Sequence, residues 1–436
     1  MKIGAISLGC DKNRVDTEKM LARLVEAGHT LVGSEEEADV IIVNTCAFID
    51  KAKEESIDEI LSAIDAKKSS GGAKKVIVTG CLSGRYLDEL KGEFEEVDAL
   101  LGIADYDKIV ETVEKVAKSE KVFEQSNADK FFEDRVLTTP YHYAYLKIAD
   151  GCDNHCTYCA IPKIRGKYRS EKPENLLAEA QKLADDGVKE LILVAQDVSR
   201  YGTDFDGKPH LFELVIELEK LDFDWIRLLY IYPEMVTDEF IEFVKNEPKV
   251  VKYLDVPLQH IDGALLKLMN RKISEDDARA IVKKIKDAGI TLRTTFICGF
   301  PGETKEQFEK LKAFVKEEKF DYAGFFAYSR EEGTPADKLS NHLPEKVKQK
   351  RADELSALQT KIIKERNKNL VGSTLKVIYD DIDYDKQAFV GRTSRQAPDI
   401  DNVVLFGSED EVCIGEFYNV KITGTHGIDL VGEVEK

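Results

Sequence analysis

Eight cysteines stand in the 436 residues of this chain, and six of them fall into two groups of three. Cys152, Cys156 and Cys159 follow the spacing C-x3-C-x2-C, just after an apolar, strand-like run, Tyr143-Ala144-Tyr145-Leu146-Lys147-Ile148. Thiolates are soft ligands suited to iron–sulfur clusters or zinc. A structural zinc site normally closes with four ligands, often as C-x2-C pairs, and no partner pair follows here. Three cysteines on a four-iron cube leave one iron without a protein ligand, where a small molecule can be ligated and reduced. The competing readings are a zinc knuckle or three unrelated thiols. Cys10, Cys46 and Cys81 form the second group, 36 and 35 residues apart. Each follows an apolar run, so the three share one topological position. The expectation is a second three-thiolate cluster; buried structural thiols are the alternative, since free cysteine packs as a small hydrophobe.

The elements that must hold these groups can be read from the hydropathy pattern. In residues 1–118, apolar runs at Lys2–Leu8, Val40–Val43 and Val76–Val78 alternate with helical stretches at Arg14–Ala27 and Lys51–Lys68. Such alternation predicts a parallel sheet covered on both faces, with ligands at the carboxyl ends of its strands. Residues 119–140 read as an irregular acidic connector carrying Glu120, Glu124, Asp129, Glu133 and Asp134. In residues 141–369 the alternation resumes. Strands are expected at Leu191–Ala195, Ile226–Ile231, Val251–Val256, Ile290–Ile297 and Tyr322–Ala327, with helices between or after them. This pattern predicts a partial or complete (β/α) TIM-like barrel with its chemistry at the carboxyl ends of the strands. Residues 370–436 change to five short β runs, which fit a small OB-like barrel. The fold class is therefore α/β, with a β-barrel module at the end.

Composition narrows the function. Hydrophobic residues make up 43% and charged residues 33% of the chain, which describes a soluble globular protein. No run approaches the ~18 apolar residues of a membrane span. The start resembles no signal peptide. Eight cysteines in such a chain argue for metal or catalysis in a reducing, cytoplasmic compartment. The net charge is −19; nucleic-acid binders usually present a basic face, and an acidic balance suits a basic protein partner. From residue 370 onward there are six basic and thirteen acidic residues, a net of −7. Phosphate binding there rests on Arg392 and Arg395.

Around the cysteines the sequence resembles a known family. The stretch Ala149–Cys159 is similar to the radical S-adenosylmethionine enzymes. Leu8-Gly9-Cys10-Asp11-Lys12-Asn13, Asn44-Thr45-Cys46-Ala47-Phe48-Ile49 and Thr79-Gly80-Cys81-Leu82 resemble the amino-terminal domain of the methylthiotransferases, and the last 65 or so residues resemble their TRAM module. The resemblance spans the chain. It implies two 4Fe–4S clusters, on Cys152/Cys156/Cys159 and on Cys10/Cys46/Cys81, with S-adenosylmethionine as cofactor. The first cluster would cleave that cofactor to a 5′-deoxyadenosyl radical; the second would present a sulfur species to be methylated and transferred. It also implies cofactor contacts at the strand ends, where Tyr158, Gln196, Gln259, Gly299, Phe300 and Arg330 are the candidates. The Gly299–Gly302 turn would admit close backbone approach. Strand ends and helix caps give each of these polar residues an ordinary alternative. Cys298 reads as packing and His260 as a hydrogen-bonded supporting residue. The basic run Ile164–Ser170 could steer an anionic cofactor or substrate; relatives differ at Glu171, so nothing is carried to it.

Within the family, Asp11-Lys12-Asn13, Cys46-Ala47-Phe48-Ile49, Ile161–Gly166 and Arg395–Asp401 are similar to the branch that modifies small-subunit ribosomal protein twelve. That resemblance implies methylthiolation of an aspartate β-carbon on this protein, free or in the ribosome. An electron donor such as flavodoxin or ferredoxin and a sulfur donor would be further partners; transfer RNA is disfavoured. The alternatives are a tRNA adenosine methylthiotransferase, a sulfur-inserting enzyme for a small molecule, and a non-catalytic iron–sulfur carrier.

Overall fold

The computed structural model describes residues 1–71, 74–125 and 134–435. Of the residues named above, Asp129 and Glu133 lie outside them. The chain forms two compact units. One comprises Met1–Thr138, Tyr145–Glu179 and Ser329–Asp337; the other Thr139–Ala144, Ala180–Tyr328 and Lys338–Lys436.

The first unit is built on a six-stranded sheet in the order β2-β1-β3-β4-β5-β6. Its strands are β1 (Lys2–Ser7), β2 (Thr30–Leu31), β3 (Val40–Thr45), β4 (Lys75–Gly80), β5 (Ala99–Leu101) and β6 (Val122–Glu124). Every pairing is parallel. The central strand β3 is buried at all six positions, as expected of a strand covered on both faces. Val40, Ile41, Ile42 and Val43 supply β-branched side chains that suit it. Helix α1 (Asp11–Glu26) starts directly after Cys10, α2 (Asp50–Ser69) four residues after Cys46, and α3 (Cys81–Arg85) with Cys81 itself.

Two features depart from the sequence reading. The stretch expected to be an irregular connector contains β6, paired to β5 with Leu100 opposite Phe123. It also carries a buried Arg135, ion-paired to Glu18 at 2.5 Å and to Glu179 at 2.8 Å. Moreover, α1 buries Lys12, Asn13, Asp16, Thr17 and Glu18, a polar face that hydropathy alone would assign to solvent.

In the same unit β8 (Ala149–Asp150) pairs antiparallel with β9 (Arg169–Ser170). This short ladder closes the base of the loop bearing Cys152, Cys156 and Cys159. Ahead of it runs β7 (Tyr143–Lys147), whose first two residues belong to the second unit.

The second unit carries β10 (Glu190–Val194), β11 (Trp225–Leu228), β12 (Val250–Asp255), β13 (Thr291–Cys298) and β14 (Tyr322–Ala327). The sheet order is β14-β13-β12-β11-β10-β7. The pairs from β10 to β14 are parallel. The sheet is open, so the (β/α) repeat takes its partial form. After the helix Glu345–Lys368, strands β15 (Thr374–Asp383), β16 (Ala388–Arg392), β17 (Val404–Gly407), β18 (Phe417–His426) and β19 (Asp429–Val434) close into a barrel in the order β15-β16-β17-β19-β18. Val377, Tyr379, Val404, Phe406, Val420, Ile422 and Leu430 fill it, each aliphatic side chain stabilising it by roughly 1.5–3 kcal/mol on full burial.

Candidate active site

Cys10, Cys46 and Cys81 stand at the carboxyl ends of β1, β3 and β4, the three adjacent central strands. Cys46 and Cys81 are buried and Cys10 is half-buried. A Cβ at Gly9 (φ +88°) would lie 2.7 Å from Cys46 Cβ and 2.8 Å from its Sγ, so only glycine lets the turn before Cys10 pass this close. The thiols feel one another. Burial pushes the Cys81 thiol up to about 12, Arg165 opposes that, and Cys10 and Cys46 add to it. Cys46 is raised for the same leading reason. Metal binding to such thiols must displace protons. Among the described residues no group of three or more His, Cys, Asp or Glu is disposed around a single ion. A four-iron cube makes a different demand, because each thiolate binds its own iron.

Behind the thiols lies a buried polar network. Asn13 donates to the carbonyls of Leu8 (3.0 Å) and Thr45 (2.8 Å), tying the Cys10 and Cys46 turns together. Arg165, 1% exposed in its side chain, reaches four groups. It donates to Asp150 Oδ2 at 2.8 Å, Asn13 Oδ1 at 2.5 Å, Asp16 Oδ2 at 3.0 Å and Cys81 Sγ at 3.8 Å. Lys147 pairs with Asp16 and lies 3.5 Å from Asp150. The network therefore holds two cations against two carboxylates, as buried charge requires. Burial works against ionisation of Asp150, but Arg165 and Lys147 outweigh it and hold the carboxyl well below the usual range. Arg165 thus does not steer anions from a basic surface, as the run Ile164–Ser170 suggested; it is a buried bridge.

That bridge joins the two cysteine groups. Asp150 lies two residues ahead of Cys152, in the ladder that closes the second loop. Within the loop the Cys152 N–H donates to the Gly166 carbonyl at 3.2 Å and the Cys159 N–H to the Cys156 carbonyl at 3.0 Å. Cys152 and Cys156 are buried and Cys159 is half-buried. The Ala336 N–H donates to the Thr157 carbonyl at 2.8 Å, and buried Glu331 pairs with Arg85 (2.7 Å) and Lys53 (3.1 Å). Sequence reasoning named neither Glu331 nor Asp150 as functional.

Three segments of this chain match known families. Residues 2–102 match the uncharacterized protein family UPF0004, residues 146–315 the Radical SAM superfamily and residues 371–434 the TRAM domain. A protein from Clostridioides difficile named ribosomal protein uS12 methylthiotransferase RimO is 46% identical over 442 residues, covering 100% of this chain and 99% of its own. Its namesake in Clostridium botulinum is 47% identical over 440 residues, covering 100% and 98%. The chain belongs to the RimO family of radical SAM methylthiotransferases. A third RimO, from Caldanaerobacter subterraneus, is 47% identical over 99% of each chain. Among solved structures, the radical S-adenosylmethionine methyltransferase TsrM from Kitasatospora setae matches with a TM-score of 0.53 at 14% identity, covering 77% of this chain and 76% of its own. The cobalamin-dependent radical enzyme OxsB matches at 0.52 and 13%, covering 83% and 57%. Those two show a shared fold.

The other candidate residues divide between the units. In the first, Tyr158 occupies the turn between Cys156 and Cys159, and Arg330 pairs with Asp337 at 2.7 Å. In the second, Gln196 follows β10 and Gln259 follows β12. Gln259 adopts φ 70° while bridging to β13. Phe300 is buried against Tyr328. A Cβ at Gly299 (φ +77°) would meet the stem of Lys348, which gives this glycine a packing reason of its own. The Gly299 N–H donates to Glu303 Oε2 at 2.8 Å. Cys298 is fully buried, its thiol pushed up chiefly by burial.

His260 is likewise buried. Its Nδ1 accepts from the Asp262 N–H at 2.9 Å, so the ring proton sits on Nε2, 3.7 Å from Glu303 Oε2. Burial lowers its pKa to about 4, with Asp262 opposing and Lys310 and Arg351 assisting. A lowered histidine pKa means the unfolded chain takes up the proton first. Stability therefore falls as pH drops from about 6.5 to about 4, by about 3 kcal/mol in all. Glu303 is raised by burial and works in the opposite direction. The difference between wild type and His260→Gln isolates the histidine. Denaturant unfolding at pH 7 and pH 4 should show a stability loss in wild type that exceeds the variant's by that amount; equal losses would place the ring elsewhere.

Proposed function

We propose that this chain methylthiolates ribosomal protein uS12, as the name of its relatives describes for them, and that the carbon modified is the β-carbon of an aspartate, as the sequence resemblance implies. The observation that carries the reading is the buried Arg165 bridge, which ties two three-cysteine groups of one unit into a single network. Cys152, Cys156 and Cys159 would hold one 4Fe–4S cluster and Cys10, Cys46 and Cys81 another. The donor set fits, with three thiols in each group, mostly buried, and no fourth cysteine in either. Bound there, the clusters supply an electron for cleavage of S-adenosylmethionine and a place to hold transferable sulfur. The chain's own residues do the rest. Asn13 fixes the spacing of the Cys10 and Cys46 turns; Arg165, paired with Asp16 and Asp150, holds the Cys81 end of one group to the loop of the other; burial keeps water away from thiols and sulfur alike. Tyr158, Gln196, Gln259, Gly299, Phe300 and Arg330 are assigned to the cofactor on the family resemblance.

The end module supports a protein substrate. Asp381, Asp385, Asp399, Glu409, Asp410, Glu411, Glu416, Glu433 and Glu435 are exposed there, against Lys376, Lys386 and Arg395. Phosphate binding through Arg392 is excluded, because it is buried between Glu190 and Asp380. Arg395 rests on Thr291 and Asp321. An acidic surface repels an RNA backbone and attracts a basic protein. The same reading divides the chain at 118, 140 and 369 and places it in the cytoplasm; no helix among the described residues is long and apolar enough to cross a membrane.

A competition decides the substrate. Reconstituted enzyme, S-adenosylmethionine and reductant meet uS12 and bulk tRNA together without oxygen, with mass spectrometry on both. A methylthio group on an aspartate peptide, and unchanged tRNA nucleosides, is the expected result. Modification of an adenosine instead overturns the proposal.

A further inference from the structure

The Tyr106 hydroxyl is among the buried donors near the amino-terminal thiols that the network leaves over. Tyr106 lies on the 3-10 turn Ile103–Lys108, which follows β5, and is 7% exposed. It belongs to the same apolar core as Cys81, Leu82 and Ile103. A Cβ at Gly84 of α3 would lie 3.5 Å from Ile103, so the turn is seated against the helix that begins with Cys81. The Tyr106 hydroxyl has no hydrogen-bond partner among the described residues. Leaving a buried hydroxyl unpaired costs about 1–3 kcal/mol, and native proteins rarely do so without a reason. The charges acting on it, after burial itself, are those of Asp16, Arg165, Cys81 and Asp150. All four belong to the buried network behind those thiols. Asp16 and Asp150 already accept from Arg165 and face Lys147, so what the hydroxyl lacks is an acceptor supplied from outside the chain.

We propose that Tyr106 donates a hydrogen bond to a sulfur atom of the group held by Cys10, Cys46 and Cys81. This makes it a positioning residue that sets the retention and reduction potential of that group. The inference rests on the reading of those cysteines as cluster ligands. Sulfide and thiolate sulfurs accept hydrogen bonds, and such bonds help set the potential of an iron–sulfur site. They favour the reduced, more negative state, so losing one makes the potential more negative.

The test uses the full chain with Cys152, Cys156 and Cys159 replaced by alanine, so that iron and sulfide report on the amino-terminal site alone. Tyr and Phe are compared at position 106. Phenylalanine keeps the ring and drops the unpaired hydroxyl, so the iron-free Tyr106→Phe protein should melt at the same temperature or higher. The reconstituted variant should lose iron to a chelator several-fold faster and titrate at a more negative midpoint potential. A merely structural tyrosine would lower both melting temperatures and leave the potential where it was. Unchanged potential and unchanged iron loss would overturn the proposal and leave a buried water as the hydroxyl's partner. Failure of the Tyr106 protein to load iron at all would instead refute the assignment of Cys10, Cys46 and Cys81.

Discussion

Replacing Cys152, Cys156 and Cys159 together with alanine should bring 5′-deoxyadenosine formation down to the level of an iron-free blank. Bound iron should fall by about half, because three of the six ligands remain at the other site. The fold should survive, since the loop is closed by backbone pairing of Ala149 with Ser170 and Asp150 with Arg169 rather than by the thiols. The mirror substitution of Cys10, Cys46 and Cys81 should leave cofactor cleavage in place and stop sulfur transfer. Anaerobic assays of deoxyadenosine, iron and methylthiolated peptide distinguish the two. Deoxyadenosine still formed by the first variant would refute the assignment of its cysteines, and modified peptide from the second would refute theirs. The asymmetry follows from chemistry that no protein side chain can replace. An aspartate β C–H bond is unactivated, and general acids and bases working near neutral pH do not break it.

Glu190→Ala should be the most destabilising single substitution in the second unit. Glu190 is fully buried between two guanidiniums, with Arg227 Nε at 2.7 Å from one oxygen and Arg392 at 2.7 Å from the other. Arg392 also grips Asp380 in bidentate fashion, at 2.7 and 2.9 Å, and Asp380 meets His142 at 2.7 Å. Removing one member of a buried ionic network leaves uncompensated charge and costs roughly 3–5 kcal/mol. For a unit of this size that lowers the melting temperature by on the order of 10 °C. Burial alone would raise the Glu190 carboxyl, but Arg227 and Arg392 outweigh it and hold it low. The sign follows directly. A depressed carboxyl contributes stability above its unfolded pKa near 4.3 and loses it as pH falls through the lower folded value. Glu190→Gln should therefore flatten the acid limb of the stability curve. A melting temperature within a degree or two of wild type for the alanine variant would show that the arginines find water instead.

Much of this protein can be read along its chain. The 36- and 35-residue intervals between Cys10, Cys46 and Cys81 mark one strand–helix repeat each, and a parallel sheet necessarily brings such positions to one edge. The six strands of the central sheet and the five of the closing barrel follow from runs of β-branched and aromatic residues, a local property. The C-x3-C-x2-C spacing is local as well, and the full-length likeness to RimO proteins agrees with the reading built on it.

Partnership in space is a different matter. Arg165 reads as one cation in a basic stretch, yet it is buried against Asp16, Asn13 and Cys81, at least 84 residues away in sequence. Arg392 reads as a phosphate ligand and is spent on Glu190, 202 residues earlier. The polar face of α1 looks solvated until Arg135, Thr138 and Lys147 fold onto Glu18 and Asp16. In each case the side chain's charge is written in the sequence, while its burial depends on which distant element arrives opposite. Hydropathy periods fix elements because an element's face is set by neighbours three, four or two residues away. They are blind to a compensating charge far along the chain, and it is that compensation which allows a charged residue into the interior. The sequence alone therefore determined the strands, the six thiols and the family; the tertiary structure alone decided which cations are buried beside Cys81 and which hold the end barrel in place.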